Sequence, residues 1–119
     1  MDTEDFVTYE QALVLKKLGF REKCDYKYYI PLSDNPIPND LLANPNEHIE
    51  APTLAQAQKW LRKEKQIDIE INVYHLGHRE YRPVIYNNND NAIILRPYCS
   101  YEEALLAGIT KCLELLEIN

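Results

Sequence analysis

His75 and His78 stand three apart, a spacing that can place two imidazoles on one metal ion. A zinc site needs three or four protein donors, and here the third would have to come from His48 or a distant cysteine. The pair therefore reads as two exposed turn histidines. Cys99 precedes a helix start, where the dipole favours a thiolate, and Cys112 falls on the apolar face of that helix. Both read better as small inward-packed residues than as nucleophiles. Gly19, Gly77 and Gly108 are isolated, which rules out a glycine-rich phosphate loop. Asp68 and Glu70 alternate along one strand, as side chains that solvate a sheet do. With no catalytic or metal-ligating constellation, the expectation is a non-enzyme without a cofactor.

Two groups of residues point instead to binding. Tyr26, Tyr28 and Tyr29 lead into a proline-containing stretch with Pro36 and Pro38. Exposed tyrosines give a large contact area at low entropic cost, so these five residues form a candidate protein-partner surface. The alternative is that the tyrosines pack the loop onto the body. The second group is basic: Lys59, Arg62, Lys63 and Lys65, then His78, Arg79 and Arg82. Lys59, Arg62, Lys63, His78, Arg79 and Arg82 make a candidate nucleic-acid surface. The plainer reading of a Lys/Arg-rich helix face is solubility.

Three phrases place the elements that would carry these residues. Thr8-Tyr9-Glu10-Gln11, Thr53-Leu54-Ala55-Gln56 and Ser100-Tyr101-Glu102-Glu103 each have a hydroxyl at N-cap and Gln or Glu at N3, the pattern of a capping box. They predict helices over about 9–18, 54–65 and 101–116. Gly19 followed by Phe20 suits a left-handed helix end with a hydrophobic contact back onto the helix. Ile67, Ile69, Ile71 and Val73 alternate with polar residues, which predicts a strand with one wet face showing Asp68, Glu70, Asn72 and Tyr74. Residues 81–86 and 92–98 read as two further strands, with Pro83 marking an edge or a bulge. Residues 26–30 read as a strand that Pro31 ends, and 31–52, with five prolines, as a long loop. Gly108 in the middle of the last helix suggests close approach to the sheet. The fold class is therefore α+β: a three-stranded antiparallel meander, four-stranded if 26–30 joins it, with three helices in the order α-β-(loop)-α-β-β-β-α.

The 119 residues, 45% of them hydrophobic, suffice for one domain of ordinary size. The net charge of −6 disfavours nonspecific binding to nucleic acid or anionic lipid. It is uneven, however: residues 53–99 hold seven basic and five acidic groups, a local excess of two positive charges. Three widely spaced cysteines suit free thiols, and the acidic start Met1-Asp2-Thr3-Glu4-Asp5 has no apolar stretch behind it. The expectation is a cytoplasmic protein that does not engage a membrane.

Residues 52–119 resemble a double-stranded RNA-binding domain in the order of their elements. Gly77-His78-Arg79-Glu80-Tyr81 is similar to that family's first hairpin loop. The resemblance implies RNA contact through the first helix, that loop and the start of the last helix. The last helix departs from the pattern, opening with Glu102 and Glu103 where the family is basic. Over nearly its full length the chain also resembles a family of small uncharacterised proteins of gut-bacterial phages and prophages. The matching phrases are Val7-Thr8-Tyr9-Glu10-Gln11-Ala12, Leu15-Lys16-Lys17-Leu18-Gly19-Phe20, Ala51-Pro52-Thr53 leading to Trp60-Leu61-Arg62, and Ser100-Tyr101-Glu102-Glu103-Ala104. This resemblance implies a mobile-element setting and no mechanism. The role expected is an accessory or interaction protein with a protein partner, with nucleic-acid binding as the alternative.

Overall fold

A computed structural model describes residues 5–29, 35–39, 48–75, 77–87 and 91–118. The order is α1 (Tyr9–Lys17), β1 (Tyr26–Tyr29), β2 (Ile37–Pro38), β3 (His48–Glu50), α2 (Leu54–Lys65), β4 (Asp68–His75), β5 (Arg79–Tyr86), β6 (Ile93–Ile94) and α3 (Tyr101–Ile118). The α+β class holds, and the helices begin at the residues after the three caps. Each cap hydroxyl accepts from its N3 amide: Thr8 from Gln11, Thr53 from Gln56 and Ser100 from Glu103, all at 3.1 Å. At Thr8 the box is reciprocal, with Gln11 Oε1 accepting from the Thr8 amide at 2.9 Å. At Thr53 the Gln56 side chain turns away to Glu22 Oε1, 3.5 Å off. Helix α1 ends as expected. Gly19 has φ +108°, and the Phe20 amide donates to Leu15 O at 2.9 Å. Phe20 is buried and meets Trp60 edge-on at 5.6 Å.

The strands form two sheets, not one meander with an added strand. In the first, β1 lies between β2 and β3, both antiparallel to it. Two short strands thus lie within the stretch read as loop, because β1 supplies a paired edge on each side. Residues 31–34 and 40–47 of that loop, with Pro31 and Pro45, lie outside the described residues. The second sheet is the meander β4-β5-β6. One continuous core joins the sheets, with Leu15, Tyr28, Ile49, Leu61, Ile69, Ile85, Ile109 and Cys112 all in it.

Pairing fixes the two faces of the second sheet. Ile69 opposes Ile85, and Ile71 opposes Pro83, on the face covered by α2 and α3. Asp68, Glu70, Asn72 and Tyr74, opposite Tyr86, Val84, Arg82 and Glu80, form the other face, as the alternation requires. Pro83 lies in the central strand, so the edge reading fails; a bulge is present, but in the segment facing Pro83 and not in its own strand. Tyr81 pairs with Tyr98 and Val84 with Ile94, so three residues, 95–97, face two, 82 and 83. The extra residue interrupts the ladder where proline has no N–H to give. Gly108 does what a mid-helix glycine suggests: a Cβ there would lie 2.8 Å from Ile69 Cγ2.

Candidate protein-binding surface

Tyr28 turns inward, and Tyr26 is half-buried. Tyr28 is 3% exposed, its hydroxyl donates to Val7 O, and its ring meets Tyr9 edge-on at 5.8 Å. Burial and then the nearby Glu10 carboxylate push the phenol up to about 12. Tyr26 is half-buried, with its ring 4.9 Å from Phe6. Tyr29 enters through its backbone pairing with His48. Pro36 and Pro38 are half-buried, and Pro38 faces Tyr26 across the β1–β2 pair. Tyr28 is thereby removed from the expected partner surface: it belongs to the core, on the central strand of its sheet and against Tyr9 of α1.

The basic group is divided. Lys59, Arg62 and Lys63 are exposed on α2, and His78 and Arg79 are exposed at the tip of the β4–β5 hairpin. Lys65 lies over the Trp60 ring at 5.6 Å, and His78 Nε2 lies 3.3 Å from Glu80 Oε1. Arg82 points from the sheet face opposite α2, where its guanidinium lies over the Tyr74 ring at 5.6 Å. An even count of residues separates Arg82 from the tip, but pairing parity puts it across the sheet from the helix cations. Glu102 and Glu103 open α3 as the sequence indicates.

Cys99 is exposed, which corrects its reading as an inward-packed residue; the Ser100 cap forms without it. Cys24 and Cys112 are buried. Desolvation raises both thiols to about 12, with the Glu50 carboxylate adding to the effect at Cys24. Among the described residues no group of three or more His, Cys, Asp or Glu side chains could hold a metal ion. No helix among them is long and apolar enough to cross a membrane. A hollow of about 220 Å³ between α1 and β3 is lined by Ala12, Lys16, Phe20, Arg21, His48, Ile49 and Glu50. That is below the roughly 300 Å³ at which small-molecule pockets begin.

Sequence reasoning missed two features. The first is a buried ion pair. Lys27, 7% exposed, donates to Glu50 Oε1 at 2.9 Å, Cys24 O at 2.7 Å and Asn39 Oδ1 at 2.8 Å. All three ammonium donors are used, and the pair ties β1 to β3 and to the end of β2. Nothing in the spacing of Lys27 and Glu50 signals this, since they meet only through the β1–β3 register. The second is the outer face of the β4-β5-β6 sheet. Tyr74, Tyr86 and Ile94 are 41%, 42% and 63% exposed there, and Val84 on the same face is buried beneath its neighbours at 4%. The alternation 68–74 marked this face as wet and placed Tyr74 on it, but Tyr86 and Ile94 come from β5 and β6. Tyr86, Val84 and Ile94 are neighbours toward one end of this face, next to Asp68 and Glu70, and Tyr74 stands at the other end beyond Asn72 and Arg82. Exposed aromatic and aliphatic side chains edged by charged ones have the composition of a partner-binding patch.

Comparison with protein-family models, with curated proteins and with solved structures gives no match.

Proposed function

We propose that this chain is a non-enzymatic interaction protein of a phage or other mobile element, and that it binds a protein partner through the outer face of the β4-β5-β6 sheet. The observation that carries this reading is the shared exposure of Tyr74, Tyr86 and Ile94 on one sheet face. Aromatic and aliphatic side chains on a rigid sheet lose little entropy on binding, and the neighbouring carboxylates and Arg82 supply orientation. The mobile-element setting rests on the phrase-level resemblance. The test is photo-crosslinking in the host cell, with a photoreactive phenylalanine analogue at position 94 and, as control, at position 59 on α2. The expected result is a discrete protein adduct from 94 that Tyr86→Asp abolishes. Adducts from 59 alone, or none from 94, would remove the outer face as the partner surface.

A second reading has one observation in its favour. Lys59, Arg62 and Lys63 are exposed on one helix and take part in none of the ion pairs among the described residues. The α2-β4-β5-β6-α3 order supports the comparison with RNA-binding domains. Binding to duplex RNA that weakens steeply with salt and is lost on charge reversal at Arg62 and Lys63 would carry this reading over the first.

A further inference from the structure

We propose that the edge of β4, which no described strand pairs with, joins antiparallel to β4 of a second copy, about a two-fold axis at Val73. The direction of the backbone groups leads to this. Pro83 O accepts from Leu95 N at 3.0 Å, and Tyr81 and Tyr98 exchange both backbone bonds at 2.9 and 2.7 Å. Odd-numbered residues of β5 therefore turn toward β6, and even-numbered ones toward β4. In β4 the even-numbered partners face β5, so the N–H and C=O groups of Ile71, Val73 and His75 point off the sheet. Gln58 Nε2 covers the outward carbonyl of Ile69 at 2.9 Å, so the open length begins at Ile71.

Exposed edges are usually blunted by lysine, proline or a bulge, and Ile71–His75 holds none of these. A two-fold axis at Val73 makes Ile71, Val73 and His75 the hydrogen-bonded positions, which are the residues whose groups point off the sheet. Val73, 47% exposed, meets its own copy. Ile71 meets His75, Asn72 meets Tyr74, and no like charges stand opposite one another. Charge points to the same end of the molecule. Between Ile71 and Arg82 the chain has Arg79, Glu80 and Arg82, so this stretch carries none of the acidic excess behind the net charge of −6 that would set two copies against each other. A self-complementary strand on a two-fold is the simplest closed interface. The proposal stands on the backbone edge and is independent of the outer face proposed above.

The test is light-scattering molar mass across the micromolar range. The expected mass approaches twice 14.0 kDa on concentration and returns to 14.0 kDa in Val73→Lys. That substitution is at an exposed position and leaves the core untouched. In a Cys99→Ser background, Val73→Cys should form a disulfide-linked dimer under mild oxidation, and Lys59→Cys should not. Facing residues of such a pair have Cα atoms about 5.5 Å apart, within disulfide range. A monomer at every concentration overturns the proposal and leaves the edge to a strand from a different protein. A dimer that Val73→Lys does not disrupt overturns it as well.

Discussion

Lys27 is the side chain with the most at stake. It gives up hydration for three acceptors, and its partner Glu50 also accepts from the Cys24 amide at 2.7 Å. Removing one member of a buried pair leaves the other charge uncompensated, at about 3–5 kcal/mol when both are dry. Glu50 keeps 27% of its side-chain exposure, which softens that penalty. Lys27→Met is expected to cost about 2–3 kcal/mol in urea unfolding, on that scale. Adding Glu50→Gln should recover part of the loss, because the stranded charge is then gone. Equal midpoints for Lys27→Met and the native chain would show that the pair contributes nothing. Gln11, 6% exposed, is a second residue with a double task. Its Oε1 closes the cap at Thr8, while its Nε2 donates to Thr110 Oγ1 and, at 3.3 Å, to Leu106 O on α3. The cap was legible from four residues; the bridge to α3, 95 and 99 positions away, was not.

At the scale of elements, α3 lies against β4 because Gly108 has no side chain. A methyl group 2.8 Å from Ile69 Cγ2 forces the helix or the strand to move. Overpacking costs about 1–3 kcal/mol, against a gain of about 1 kcal/mol in helix propensity. Gly108→Ala is therefore expected to lower stability by about 1 kcal/mol net. A stabilised variant in thermal unfolding would mean that propensity outweighs the contact. Helix ends were readable because they depend on near neighbours, whereas Pro83 left edge and bulge open until the pairing placed the extra residue at 95–97. The short strands β2 and β3 were not, since their pairing with β1 is set by tertiary contacts and not by local propensity.

Among the described residues three acidic protons are held in the core. Cys24 and Cys112 are raised from 9.0, and Tyr28 from 10.0, each to about 12. The folded state keeps these protons where the unfolded chain releases them. Stability from all three is present in full below about pH 9, and it is lost as pH climbs through the folded values near 12. Urea midpoints should fall steadily from about pH 9 upward, and less steeply in a Cys112→Ala variant. A midpoint flat to about pH 11 would contradict the burial of these groups.

What the sequence determined by itself was local: three helix starts, the Gly19 helix end, the alternating strand at 67–74 and the α+β class. These follow from hydrogen bonds spanning a few residues and from the period of the apolar side chains, which any fold must respect. Tertiary structure decided the rest. It placed Tyr28 in the core, left Cys99 outside, split the basic residues across a sheet and gathered Tyr74, Tyr86 and Ile94 on one face. Each of these depends on which strands pair and in what register, because one residue of slip moves a side chain to the opposite face.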